Sequence, residues 1–126
     1  MMDVIVKPSR IHARGVFAAR AFVRGEVVVR WDVSRRIAKS DIDSLDAAER
    51  PYVHPYDAVS LVLVQSPERF VNHSCDHNTE VVDFADVAIR DIAAGEEITS
   101  NYETDGARLR FECGCGSPSC RQRIGY

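Results

Sequence analysis

Four cysteines lie in two stretches of this chain, and their spacing constrains the fold more than any other feature. Three of them fall within eight residues near the end, in the pattern Cys113-x-Cys115-x4-Cys120, and Cys75 lies far upstream. The close spacing suits a metal knuckle, and the upstream thiol can complete a tetrahedral zinc site. Buried inert thiols or a disulfide pair are the alternatives, and the spacing favours zinc. The fold must then bring Cys75 to the C-terminal stretch.

Length and charge bound the possible functions. The chain has 126 residues, 45% hydrophobic and 28% charged, which predicts one soluble globular domain with a real core. A net charge of -3 lacks the basic excess of most nucleic-acid-binding proteins, so we expect no direct nucleic-acid partner. The sequence does not distinguish a monomer from a homodimer.

The first residues of the chain carry no targeting signal that we recognise. Residues 1–8 lack the basic start and apolar stretch of a secretory signal, and no apolar run approaches membrane-spanning length. We therefore expect an intracellular protein without membrane contact, in the cytoplasm or the nucleus. A reducing compartment also favours metal binding by the cysteines over disulfides.

Short runs of β-branched and aromatic residues, mostly bounded by turn formers, predict a mostly β domain. The predicted strands cover residues 4–6, 27–31, 59–64, 80–84, 87–89 and 97–102. One helix is predicted over residues 40–50, because Ser40 can cap it, Asp43 follows three positions later and Pro51 would stop it. Residues 22–28 resemble residues 92–98, which we interpret as one glycine turn used twice to start a strand.

Four motifs occur in a fixed order along the chain. They are residues 13–18 (ARGVFA), residues 69–78 (RFVNHSCDHN), residues 95–102 (GEEITSNY) and the cysteine pattern at the end. Together they resemble SET-domain protein-lysine methyltransferases that carry a post-SET zinc motif. The resemblance implies a fold of several short β-sheets, in which the C-terminal segment threads beneath the loop of residues 72–78 in a knot-like way. It also implies a SET domain over residues 1–105 and a post-SET cysteine tail over residues 106–126.

The activity that this resemblance implies is transfer of a methyl group from S-adenosylmethionine to a lysine amine of a protein. Tyr102 is the expected catalytic residue, because the catalytic tyrosine of the family ends a Gly-Glu-Glu-Ile/Leu-Thr-x-x-Tyr stretch. Its hydroxyl would orient the amine and contact the donor near the reacting methyl. The alternative for Tyr102 is a half-buried tyrosine at the end of a strand.

The resemblance also implies which residues bind the cofactor. Asn72 and His73 match the Asn-His pair that holds its methionine and adenine parts, and Gly15 matches an early loop where glycine permits conformations that a side chain blocks. The alternatives for His73 are a buried core histidine or a local metal cluster with Cys75 and His77. The full expected set is Arg14, Gly15, Val16, Arg69, Asn72, His73 and Tyr102.

Three residues depart from the family pattern. Ala13 replaces the first glycine of the early loop, and His77 stands where the family has proline. Ser100 replaces a phenylalanine or tyrosine that helps to set how many methyl groups fit, so we expect methylation beyond one group unless an aromatic ring fills the gap. The residues expected to line this substrate channel are Tyr52, Tyr56, Phe84 and Ser100.

Zinc and a protein substrate complete the implied partners. The family's post-SET site implies that Cys75, Cys113, Cys115 and Cys120 hold one zinc ion. The segment of residues 33–67 carries an acidic set that could attract a basic peptide such as a histone tail, or could be a solvated face: Asp41, Asp43, Asp46, Glu49 and Asp57. The alternatives are a catalytically inactive, zinc-stabilised peptide-binding module and an enzyme acting on a non-protein amine.

Overall fold

The computed structural model describes residues 3–102, 111–112, 117, 120 and 123–124. Strands dominate these residues, which confirms the mostly β prediction. The strands are β1 Val4–Pro8, β2 Arg14–Ala18, β3 Val27–Arg30, β4 Arg36–Ala38, β5 Val53–Pro55, β6 Ser60–Leu63, β7 Asn72–His73, β8 Thr79–Val81, β9 Ala85–Ala88, β10 Glu97–Ser100, β11 Phe111–Glu112 and β12 Arg123–Ile124. Short 3-10 helices span Lys39–Ser44, Arg50–Tyr52 and Glu68–Phe70.

The strands form several small sheets. A four-stranded sheet has the order β1-β2-β10-β7, and two three-stranded sheets have the orders β3-β9-β8 and β4-β6-β5. β11 and β12 pair with each other. Most pairs are antiparallel, but β10 and β7 run parallel. Parallel strands need a connection that crosses over, so this pair joins segments that are distant in sequence.

The hydrophobic core lies mainly between the β1-β2-β10 sheet and the neighbouring β3-β9 pair. Val16 and Ile98 face each other across β2 and β10, and both are fully buried. Phe22 and Ile92, on the two loops that resemble each other in sequence, are also buried in this core. Burial of such side chains stabilises the fold by about 1.5–3 kcal/mol for each.

The two similar loops share more than a glycine turn. Gly25 and Gly95 both adopt positive φ, at 93° and 87°, which confirms the predicted turns. Phe22 and Ile92 exchange two backbone hydrogen bonds of 2.8 Å. In addition, β2 before the first turn pairs with β10 after the second, and β3 pairs with β9. The loops therefore join two strand-turn-strand units that exchange strand partners.

The helix predicted over residues 40–50 is wrong. The chain forms a 3-10 helix at Lys39–Ser44, its N-cap is Ala38 without a side-chain cap, and Leu45 is extended. The guanidinium of Arg50 donates to the carbonyls of Leu45 and Asp43, both at 3.0 Å. These bonds satisfy carbonyl groups that a continuing helix would have used. Pro51 lies in the first turn of the next 3-10 helix and does not end a long one.

Candidate active site

β10 brings the three main motifs together because it lies between β2 and β7. Its first residues pair with β2, and its last residues, Thr99 and Ser100, pair with Asn72 and His73. Beyond the pair, the Ser74 amide donates to the Ser100 carbonyl at 3.0 Å. Residues 99–102 therefore lie alongside residues 71–74. The knot-like threading of the C-terminal segment beneath residues 72–78 remains a prediction.

The side chain of Asn72 holds the early loop to this strand. Asn72 is buried, and its amide nitrogen donates to the carbonyls of Arg14 at 2.9 Å and His12 at 3.2 Å. The same nitrogen lies 3.0 Å from Glu97 Oε2 and 3.3 Å from Ser9 Oγ. The Asn72 side chain thus contacts the protein itself, and its contact with a cofactor remains a prediction.

Glycine is required at position 15 because the structure leaves no room for a side chain there. Its backbone conformation is not the reason, since the φ of Gly15 is not positive. A Cβ atom on Gly15 would lie 2.3 Å from Glu97 Oε2 and 3.0 Å from Ser9 Cβ. The positive φ of this loop, 34°, belongs to Ala13, the residue that departs from the family glycine. Arg14 is exposed and Val16 is fully buried in the core.

His73 and Tyr102 contact each other. The Tyr102 amide donates to His73 Nδ1 at 3.1 Å, and the two ring centroids are 5.5 Å apart. The Tyr102 hydroxyl donates to the carbonyl of Val71. A neutral imidazole that accepts at Nδ1 carries its proton on Nε2, which lies 3.5 Å from Cys75 Sγ. His73 is buried, as the core alternative required, and it also positions the expected catalytic residue.

Asn78 fastens the end of the second motif to β10. Its amide nitrogen donates to the Glu97 carbonyl at 2.8 Å, and its carbonyl oxygen accepts from the Thr99 amide at 2.9 Å. The next residue, Thr79, donates from its hydroxyl to the Thr99 carbonyl at 2.8 Å. The Asn78 side chain therefore makes hydrogen bonds to the β10 backbone like those of a neighbouring strand, and it holds β10 in place.

Arg69 lies at the edge of a groove of about 230 Å³, beside Arg35 and Phe70. Its guanidinium donates to Glu49 Oε2 at 2.6 Å and to the Val64 carbonyl at 2.8 Å, and it lies 4.4 Å from the centre of the Tyr52 ring. Its observed contacts thus join the second motif to the segment of residues 49–64. A cofactor contact of Arg69 remains a prediction.

The four expected channel residues fall into three neighbourhoods. Tyr56 and Phe84 stack with their centroids 5.4 Å apart. Tyr52 packs edge-on against Phe70 at 6.4 Å, and Ser100 is buried opposite His73. Two of the four residues are therefore in direct contact with each other.

Sequence reasoning missed the other members of the aromatic cluster around Phe84. The Trp31 ring lies 6.3 Å from Phe84 and 4.9 Å from His54, and Trp31 Nε1 donates to the buried Asp86 at 2.9 Å. Burial lowers the pKa of His54, which favours its neutral form. The contacting rings form a small apolar junction between the β3-β9-β8 and β4-β6-β5 sheets.

The acidic set of residues 41–57 divides into paired and exposed members. Glu49 forms an ion pair with Arg69. Asp57 accepts hydrogen bonds from the Val59 and Ser60 amides within its own turn. Asp57 is itself exposed, and the other three exposed members are Asp41, Asp43 and Asp46.

Half of the expected zinc ligands lie where the structure can be described. Cys75 and Cys120 are both partly buried, whereas Cys113 and Cys115 lie outside the described residues. Within the described part of the chain, no three His, Cys, Asp or Glu side chains form a group that could hold a metal. The local cluster of His73, Cys75 and His77 is therefore not such a group, and the four-cysteine site remains a prediction.

Residues 13–103 match the family model of the SET domain. Since this match covers most of the chain, the protein belongs to the SET domain family, and the mostly β SET-domain fold implied by its motifs is confirmed. The post-SET zinc tail remains a prediction. Within the described residues, no helix is long and apolar enough to cross a membrane.

Several relatives of this chain are named histone-lysine N-methyltransferases. One from Schizosaccharomyces pombe, described as H3 lysine-4 specific, is 30% identical over 140 residues, covering 90% of this chain and 14% of that protein. The trithorax enzyme of Drosophila virilis is 29% identical, covering 92% of this chain and 3% of its own length. Human histone-lysine N-methyltransferase 2B is 29% identical, with 90% and 5% covered. This chain spans only a small part of each of these relatives.

Proposed function

We propose that this protein is an S-adenosylmethionine-dependent methyltransferase that modifies a lysine side chain of a protein. The observation that carries the proposal is the position of β10, which brings Tyr102 and His73 to one place and lies beside the loop that precedes Gly15. The names of the relatives support the same class. The residues expected to act as catalytic tyrosine, cofactor loop and Asn-His pair all lie beside β10, which supports the proposal.

Tyr102 would orient the acceptor amine. Because its hydroxyl proton is donated to the Val71 carbonyl, the phenol oxygen is left to accept a hydrogen bond from the amine. This geometry would aim the nitrogen lone pair at the methyl group. Alignment of this kind supplies about 7–11 kcal/mol of a barrier in well-oriented reactions.

The amine must be neutral to react. A lysine has an unperturbed pKa of about 10.4, and removal from water disfavours its charged form. The rings of Tyr56 and Phe84 are half-buried and offer apolar surface to such a side chain. We propose that they belong to the lysine channel.

The bound cofactor would supply an electrophilic methyl group on a sulfonium. The residues that we propose to hold it are Arg14 to Val16 and the main chain of Asn72 and His73, together with Arg69 and Tyr102. The buried Asn72 amide supports this because it fixes the carbonyls of His12 and Arg14, which shapes the early loop before any ligand arrives.

We also propose that methylation proceeds beyond one group. Ser100 lies on β10 and is buried opposite His73 of β7. The family has an aromatic ring at the position of Ser100, and a serine leaves more room. A Ser100→Tyr variant should shift products toward monomethyllysine, as mass spectrometry of the product would show. Unchanged product distribution would mean that this position does not control multiplicity.

The substrate class that we propose is a basic peptide segment such as a histone tail. The exposed carboxylates of Asp41, Asp43 and Asp46 support an electrostatic preference for such a partner. The test is transfer of labelled methyl from S-adenosylmethionine to histones, basic peptides and acidic control peptides, with donor binding measured in parallel. Label on lysine supports the proposal. Absence of both label and donor binding would instead favour a peptide-binding module.

A further inference from the structure

The loop of residues 9–14, here called the donor loop, is held through the hydroxyl of Ser9. Ser9 Oγ donates to the Glu97 carboxylate, at 2.8 Å from Oε1 and 2.9 Å from Oε2. The same oxygen accepts from the Ile11 amide at 3.0 Å, and the Ser9 amide donates to the Ala13 carbonyl at 3.1 Å. The loop is therefore closed on itself and tied to β10 at one atom.

The Glu97 carboxylate also contacts Asn72. Asn72 Nδ2 lies 3.0 Å from Glu97 Oε2, and it donates to the Arg14 carbonyl at 2.9 Å. Glu97 thus accepts hydrogen bonds from the start of the donor loop and from the side chain that holds its end. Gly15 leaves the space for this carboxylate, since a Cβ there would overlap Oε2.

We propose that Glu97 is a positioning residue of the methyl-donor site. Through Ser9 and Asn72, its carboxylate holds the donor loop in the shape that receives the donor, so binding does not have to order the loop. Hydrogen bonds to an ionised acceptor are about twice as strong as neutral ones, and a preorganised site binds more tightly because less freedom is lost. This inference rests on the proposed function.

The chain offers a matched control in the adjacent glutamate. Glu96 accepts from the Ala93 amide at 3.0 Å and pairs with Arg90 at 3.0 Å on the surface. Its carboxylate therefore stabilises a turn away from the donor loop. Glu97→Gln and Glu96→Gln remove the same charge from neighbouring positions.

The experiment makes two measurements on the wild type and on both variants. The first is amide hydrogen exchange of residues 9–15 in donor-free protein, and the second is the Kd for S-adenosylhomocysteine, measured by calorimetry. We expect Glu97→Gln to speed exchange about tenfold and to weaken binding about tenfold, as loss of a charged hydrogen-bond partner predicts. Glu96→Gln should leave both at the wild-type values. The proposal is overturned if the two variants behave alike while the wild type binds the ligand.

If Glu97→Gln does not fold, Ser9→Ala tests the same proposal, because it removes the hydroxyl that donates to the Glu97 carboxylate. Ser9→Ala should reproduce both effects, and adding Glu97→Gln to it should cause less than the sum of the two losses. Fully additive losses would contradict a shared contact. A wild-type protein that binds no S-adenosylhomocysteine would overturn the proposed function, whatever the loop exchange shows.

Discussion

Gly15 and Ala13 lie two positions apart in the donor loop, and different physical constraints act on them. At position 15 the Glu97 carboxylate leaves no room for a side chain. Ala13 instead adopts the left-handed φ of 34° that favours glycine. The sequence identified Gly15 as part of a cofactor loop, and the structure adds that Gly15 leaves space for Glu97 while the left-handed φ belongs to Ala13. No local pattern shows that Glu97 approaches residue 15, because the two are far apart in sequence.

Opposite effects on stability are expected from Gly15→Ala and Ala13→Gly. The first should destabilise the fold by about 1–3 kcal/mol, because the new methyl group displaces a carboxylate that accepts partly buried hydrogen bonds. The second should stabilise it by up to about 1 kcal/mol through relief of the left-handed backbone. Urea unfolding of both variants checks this. A Gly15→Ala protein as stable as the wild type would show that Glu97 moves aside freely.

Glu68 should make stability depend on pH. Burial raises the pKa of Glu68 from 4.5, and Asp32 donates its amide to the carboxylate at 2.8 Å. The folded-state pKa of Glu68 exceeds its unfolded value. The stability contributed by the protonated Glu68 side chain is therefore complete below about pH 4.5 and is lost as pH rises through the folded-state pKa. Glu68→Gln, which stays neutral, should therefore gain stability over the wild type as pH rises from 4.5 to 7.5.

Denaturant unfolding of Glu68→Gln at both pH values measures that difference, with the exposed Glu80→Gln as the control. We expect a gap that widens toward pH 7.5 for the buried site alone. A gap that narrows over this range, or an equal gap in the control, would contradict the sign.

The β8-β9 hairpin shows how tertiary contacts can override local preference. The connection uses two residues with positive φ, Asp83 at 49° and Phe84 at 57°, in the manner of a type I′ turn. Glycine or asparagine usually fills such positions, and the aromatic residue here made the segment resemble continuous strand. The predicted strand over residues 80–84 therefore ran through the turn.

Replacing each turn residue by glycine separates backbone strain from packing. Asp83→Gly should be neutral or stabilising by up to about 1 kcal/mol, because it relieves the backbone of an exposed residue. Phe84→Gly should destabilise by about 1–2 kcal/mol, because loss of the ring contacts with Trp31 and Tyr56 outweighs the same relief. Thermal unfolding gives both values. Equal effects would mean that the ring packing contributes little.

All six predicted strands have counterparts, because alternating β-branched residues carry a local signal. Six strands were missed. β2, β4 and β5 are three to five residues long, and β7, β11 and β12 have two residues each. β7 exists because β10 pairs with it, and nothing in the sequence of Asn72 and His73 alone predicts a strand. The predicted helix is interrupted because Leu45 is extended, and Arg50 donates to carbonyl groups of the preceding turn.

At the scale of the whole molecule, the ordered motifs indicated that the segments carrying His73 and Tyr102 meet, and these two residues are in contact. The hydrogen bond between Ser9 and Glu97 was not predicted, since the two residues are 88 positions apart and no sequence pattern links them. The aromatic junction of Trp31, His54 and Phe84 was missed for the same reason. Motif order indicates which segments meet, whereas the atoms that join them depend on the folded geometry.

Zinc is the expected link between the C-terminal tail and the rest of the molecule. Protein purified without chelator should contain about one zinc per chain if four thiolates form one closed site. Removing the metal should lower the unfolding temperature and weaken donor binding, because structural zinc contributes folding free energy. Cys120→Ser should lose the metal in the same way. Absence of zinc from the wild-type protein would contradict the assignment.

The most direct test of the central claim is methyl transfer by the wild type and by Tyr102→Phe, measured with labelled S-adenosylmethionine and a histone substrate at saturating donor. The variant keeps the ring beside His73 and loses only the hydroxyl that is bonded to Val71. We predict labelled lysine with the wild type and a loss of kcat on the order of 100-fold in a folded variant that still binds donor. Equal transfer by both proteins would contradict the catalytic role of Tyr102.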